Sequence, residues 1–139
     1  MKVYITAPFR HWDNKSEIEY LCSLVAQSGF QDFCFIRDME NYQKIFDDAH
    51  ELMRSAYEEI EKCDALLIDY DGPASGRMIE LWIAYALGKK IILIHHASYT
   101  VKAVAEWVTD IVIPYNQIEN IVQPMSELFN RWKLDEKKI

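Results

Sequence analysis

A chain of 139 residues that is 50% hydrophobic fits one domain and buries roughly two-thirds of its unfolded surface, so it needs no disulfide or metal to hold it together. Its net charge of −7, with no basic stripe, excludes a long nucleic-acid partner but not a single small nucleotide. Cys22, Cys34 and Cys63 lack C-x-x-C spacing and sit in apolar contexts, which reads as buried thiols in a reducing compartment. Neither a metal site nor a cofactor is expected. The first apolar run is too short for a signal peptide and none reaches a membrane span, so the expected location is the cytoplasm.

Residues 2–6 form a short β-branched and aromatic run closed by Ala7-Pro8, the first and central strand. Asn14, followed by Glu17, opens a helix that buries Ile18, Leu21, Cys22 and Val25 and closes at Gly29. A second strand is predicted at 33–36. Residues 37–46 have no clear period and many acids and amides, and read either as a solvated connection or as a flap over a site. Asp47 caps a helix to about residue 62, with Leu52, Met53, Ala56 and Ile60 at three-to-four spacing. The third strand, 65–69, ends at Asp69 and leads through Asp71, Gly72, Pro73 and Gly76 into a helix at 77–87. A fourth strand at 91–94, a short helix at 101–108 and a fifth strand at 111–113 follow. A last helix at 118–132 is interrupted or re-started near Pro124, and the charged tail 133–139 is expected to fray.

This alternation predicts an α/β fold: residues 1–139 as a single-domain doubly wound five-stranded parallel sheet, flavodoxin-like in the order 2-1-3-4-5. The switch point then falls between strands 1 and 3, setting the loop of Phe9 and Arg10 beside that of Asp69, Asp71 and Glu80.

The helix at 77–87 is apolar around its whole circumference, as in a buried helix, except at Glu80. Taking a carboxylate out of water costs several kcal/mol unless it is paired, hydrogen-bonded or protonated. A capping box would put Arg77 at the N-cap, which does not suit that role. Two readings stay open: an ion pair with Arg77 or with a charge across an interface, or a functional acid at the carboxyl edge of the sheet.

The residues Lys2-Val-Tyr-Ile-Thr-Ala-Pro-Phe, Cys63-Asp-Ala-Leu-Leu-Ile-Asp-Tyr-Asp-Gly, Gly76-Arg-Met-Ile-Glu-Leu and Ala84-Tyr-Ala-Leu-Gly-Lys-Lys resemble the nucleoside 2-deoxyribosyltransferase family, which includes nucleotide N-glycosidases. The resemblance covers most of the first 95 residues in order and spacing. It implies that Glu80 is the nucleophile and that Tyr4 holds its carboxylate, and Asp69 and Asp71 are the candidates for a further catalytic acid. Substrate contacts are implied for the first loop (Ala7, Phe9, Arg10) and for the turn before the helix (Gly72, Ser75, Gly76). From the residues alone, Tyr4 reads equally as a strand aromatic packed in the core. The chain departs from the family in having Trp82 where a Gly is common and Ala56 where an Asp helps hold the nucleobase, a task left to Asp69 or Asp71.

The implied reaction is a retaining substitution at C1′: a covalent glycosyl ester on Glu80 that another base or water then takes. The alternative is a non-catalytic nucleotide-binding module on the same fold. The partners are a small nucleoside or nucleotide and further copies of the chain in a homodimer or higher homo-oligomer, with no membrane. Ser98, Thr100 and Lys102 are the candidates for reaching a neighbour's site. Arg10 is a candidate for a 5′-phosphate, or else an exposed loop residue.

Overall fold

The computed structural model describes residues 1–9, 14–72 and 75–137. The strands are β1 (Lys2–Thr6), β2 (Gln31–Cys34), β3 (Ala65–Tyr70), β4 (Lys90–His96) and β5 (Ile111–Tyr115). The helices are α1 (Lys15–Gln27), α2 (Phe35–Asp38), α3 (Ala49–Lys62), α4 (Ser75–Ala86), α5 (Ala103–Glu106) and α6 (Val122–Lys137), the last preceded by a 3₁₀ turn at Ile118–Ile121. All strand pairs are parallel, in the order β2-β1-β3-β4-β5, as the alternation predicts.

Successive strand residues point to opposite faces, which splits the core into two layers. Val3, Ile5, Leu67, Ile92, Ile94 and Ile113 pack against α1 and α6. Tyr4, Leu66, Ile68, Ile91 and Leu93 pack against α3, α4 and α5. Strands β3 and β4 are therefore buried on both faces and read as continuous apolar runs. The three cysteines are free and buried, as expected.

Several local features differ from the sequence reading. Strand β2 ends at Cys34 because the Cys34 N–H donates to Asp38 Oδ2 at 2.9 Å and Arg37 bridges Asp38 and Asp32, closing the chain into α2. Asn14 stands at the N-cap of α1, as expected, but its side chain makes no capping hydrogen bond; its amide donates to the Pro8 carbonyl at 2.5 Å, tying the first loop to the helix. Asp48 rather than Asp47 caps α3, accepting from the His50 N–H at 2.9 Å. Pro124 is the third residue of α6, in the first turn, where its missing N–H has no intrahelical partner to lose. The tail expected to fray continues α6 as far as Lys137, with Trp132 buried edge-on to Phe30 and under the Lys90 ammonium. Helix α4 is not enclosed on all sides. Leu81 and Ala84 are fully buried, whereas Ile79, Trp82 and Tyr85 are 47%, 43% and 53% exposed along its outer face.

Candidate active site

Glu80 lies one turn into α4, over the carboxyl end of β1. Tyr4 and Thr6 are two apart on β1 and so face the same side. The Tyr4 hydroxyl donates to Glu80 Oε2, and the Thr6 hydroxyl donates to Oε1 at 3.0 Å, so both carboxylate oxygens are held. Tyr4 is fully buried between Phe33 and Phe35, which fixes its ring and aims its hydroxyl along the strand end. It is a core aromatic and a carboxylate partner at once.

Burial pushes the Glu80 carboxyl above its ordinary range, and a charge on Glu40 adds to the rise. The hydroxyls of Tyr4 and Thr6 and the Arg77 guanidinium oppose it. Hydrogen bonds to a charged group are worth about 1.5–3 kcal/mol each, against several kcal/mol for desolvating a carboxylate. Desolvation prevails here, and the two hydroxyls limit its effect. Burial, followed by the Glu80 charge, drives the Tyr4 phenol upward, so Tyr4 stays a neutral donor.

Beside Glu80 is a cavity of about 150 Å³ walled by Thr6, Phe35, Ile36, Glu40, Leu52, Ala56 and Gly76. The aperiodic segment after β2 thus forms part of its wall. Trp82 contributes nothing to it: the ring lies on the outer face of α4, edge-on to Tyr85 at 5.7 Å. The possible ion pair of Glu80 with Arg77 is not made either, because Arg77 is paired with Asp71 and influences Glu80 only through space.

The other proposed site residues divide. Gly76 shares the Glu80 cavity, and Ser75 begins α4. Asp69 turns to the opposite face, where it accepts from the Tyr115 hydroxyl at 2.9 Å. Asp69, Asp71 and Ala7 line a second cavity of about 260 Å³ with Glu17, Tyr20, Tyr99 and Tyr115. Asp69 and Asp71 are therefore not among the residues beside Glu80. Phe9 packs on Tyr42 at 6.0 Å. Gly72 takes φ +124°, a left-handed turn that favours glycine though a Cβ would meet nothing there. Ser98, Thr100 and Lys102 are exposed beyond β4, with the Ser98 hydroxyl 2.6 Å from His96 Nδ1. Arg10 lies outside the described residues. Sequence reasoning missed Thr6, which the two-residue period from Tyr4 marks, and Glu40, which no periodicity marks.

Comparison with known proteins agrees with this architecture. No curated protein matches the chain. Among solved structures, a CMP N-glycosidase of Clostridium botulinum is similar at 22% identity, with a TM-score of 0.63 over 90% of this chain and 98% of that one. A 2-deoxyribosyltransferase of Bacillus psychrosaccharolyticus is similar at 16% identity, with a TM-score of 0.70 over 88% and 90%. A conserved protein of Enterococcus faecalis is similar at 16% identity, with a TM-score of 0.71 over 91% and 98%. At these identities the likeness is one of fold. Membership comes from the sequence model of nucleoside 2-deoxyribosyltransferases, which matches residues 3–127: the chain belongs to the nucleoside 2-deoxyribosyltransferase family.

Proposed function

We propose that the chain breaks the N-glycosidic bond of a nucleoside or nucleotide, or transfers its (deoxy)ribosyl group, through a covalent ester on Glu80. The observation that carries this reading is the Glu80 carboxylate, partly buried at the mouth of a cavity with each oxygen held by one β1 hydroxyl. A nucleophilic carboxylate must be ionised and must present an oxygen to C1′. The two hydroxyls favour the charged form and fix its orientation, and the Arg77 guanidinium favours it through space. Family membership and the structural likeness to a CMP N-glycosidase and a 2-deoxyribosyltransferase support this chemistry.

The active form in this reading is a homodimer or a multiple of it. Ile79, Trp82 and Tyr85 give α4 an exposed apolar face of the kind that marks association surfaces, and Tyr57 is exposed on α3, which packs beside α4. The cavity of about 150 Å³ is small beside the ~300 Å³ at the lower end of small-molecule pockets, which suits a site completed by a second copy. Sedimentation of the wild type as a dimer or larger, and of Trp82→Glu as a monomer, is the expected outcome. A monomeric wild type at micromolar concentration would remove this part of the reading.

The direct test of activity is chromatography of nucleosides and 5′-monophosphates after incubation with the protein, with and without an acceptor base. Base release or exchange is expected. Binding without either would support the non-catalytic module instead.

A further inference from the structure

Two acidic residues, Glu80 and Glu40, line the smaller cavity. Among the described residues lining it, Glu40 is the only acid besides Glu80, and the α3 wall opposite presents Leu52, Met53 and Ala56 with no acid of its own. The chain places Glu40 there by an uncommon turn. Asn41 and Tyr42 both take positive φ, 48° and 60°, which non-glycine residues adopt at a cost of order 1–3 kcal/mol each. Buried Tyr42 fixes the turn, its hydroxyl donating to Glu19 Oε1 at 2.5 Å and its N–H to the Ile36 carbonyl at 2.8 Å.

Among the described residues the Glu40 carboxyl has no hydrogen-bond or ion-pair partner, and burial raises its pKa. The titratable groups facing it are Glu80 and Tyr4 in the same cavity, with the Arg77 guanidinium acting on Glu80. Two carboxyls sharing one site are not both easily ionised, and their environments divide them into an acid and a base. Glu80 is the one held by two donors.

Given the glycosyl-transfer reading above, on which this rests, we propose that Glu40 is the general acid that protonates the departing base and later deprotonates the acceptor. As the C1′–N bond breaks, its electron pair stays with the base, the Glu40 carboxyl proton moves to a ring nitrogen or carbonyl oxygen of that base, and a Glu80 oxygen bonds to C1′. In the second half Glu40, now a carboxylate, takes the proton of the attacking water or acceptor base. The new bond to C1′ then releases Glu80 as a carboxylate. Asp69 and Asp71, at the other cavity, take no part.

The experiment compares wild type, Glu40→Gln, Glu40→Asp and Glu80→Gln on natural nucleosides and 5′-monophosphates and on p-nitrophenyl ribosides and 2-deoxyribosides, across a pH series. The nitrophenolate needs no proton to leave. In the first turnover Glu40→Gln is expected to slow base release about 100-fold or more, the usual size of general acid catalysis, while the first-turnover release of nitrophenol stays near wild type. It should also lose the alkaline limb of the kcat/KM profile, which Glu40→Asp keeps. Melting temperatures verify that the variants fold. The proposal is overturned if wild type releases base and Glu40→Gln does so equally well, or if Glu40→Gln slows the first turnover of both probes equally with the alkaline limb intact. A wild type that releases no base from any substrate overturns the glycosyl-transfer reading itself, and this proposal with it.

Discussion

Two cavities open at the carboxyl edge of one sheet, on opposite faces, and their walls differ in kind. The larger, against α1, is lined by Asp69, Asp71 and four tyrosines, with Asp69 satisfied by Tyr115 and Asp71 by Arg77. The smaller, against α3, is mostly apolar and holds Glu80 and Glu40. Volume favours the first, and chemistry favours the second: a carboxylate is most altered where apolar walls desolvate it and a few donors orient it. The alternation of β3 accounts for the division, since a strand that turns Ile68 toward α4 must turn Asp69 away.

Apart from the two carboxylates themselves, the largest effect expected within this comparison is at Tyr4. Tyr4→Phe keeps the ring in its aromatic cluster and removes one donor from Glu80. At about 1.5–3 kcal/mol for a hydrogen bond to a charged group, turnover should fall roughly 10- to 100-fold. A Tyr4→Phe protein with wild-type kcat would detach the strand hydroxyls from the chemistry.

Next in size is a stability effect with a defined pH dependence. The folded pKa of Glu80 lies above its ordinary value of 4.5, so the folded state binds the proton more tightly than the unfolded state. Ionisation therefore destabilises the fold as pH rises through 4.5 toward the folded pKa, and the loss stays constant above it. Glu80→Gln, which does not ionise, should melt higher than wild type at neutral pH and approach it in acid. A Gln variant that melts lower at neutral pH would mark Glu80 as a stabilising ion-pair partner instead.

Thr6→Val should have a smaller effect, about 10-fold in turnover, because an aliphatic hydroxyl is a weaker donor to a carboxylate than the Tyr4 phenol. Asp69→Asn should have the least. It weakens the bond to Tyr115, worth on the order of 1 kcal/mol of stability, and leaves the base-release rate almost unchanged. A folded Asp69→Asn protein without activity would move the chemistry to the larger cavity and break the comparison.

The fold was legible in the sequence because β3 and β4 are covered on both faces and leave unbroken apolar runs between helical patterns. Glu80 was legible as the one acid in an apolar helix. Its partners were only half visible: Tyr4 reads as core or as ligand until the sheet sets it under α4. Asp69 was grouped with Glu80 but lines the other cavity, because closeness along the chain says nothing about which face of a strand end a side chain takes. Glu40 was hidden because a turn through two left-handed non-glycine residues leaves no compositional sign. The enclosure expected of α4 failed on its outer face, since an apolar pattern around a helix does not say which of its faces the fold covers.

The central claim is that Glu80 carries the glycosyl group. The most direct measurement is the intact mass of the protein quenched during turnover of a slow substrate, followed by peptide mapping, for wild type and Glu80→Gln. Wild type should gain one (deoxy)ribosyl unit on the peptide containing Glu80, and Glu80→Gln should gain nothing and lose several orders of magnitude in base release while keeping its fold. An adduct on another residue, or a Glu80→Gln protein that still releases base at a substantial rate, would contradict the account.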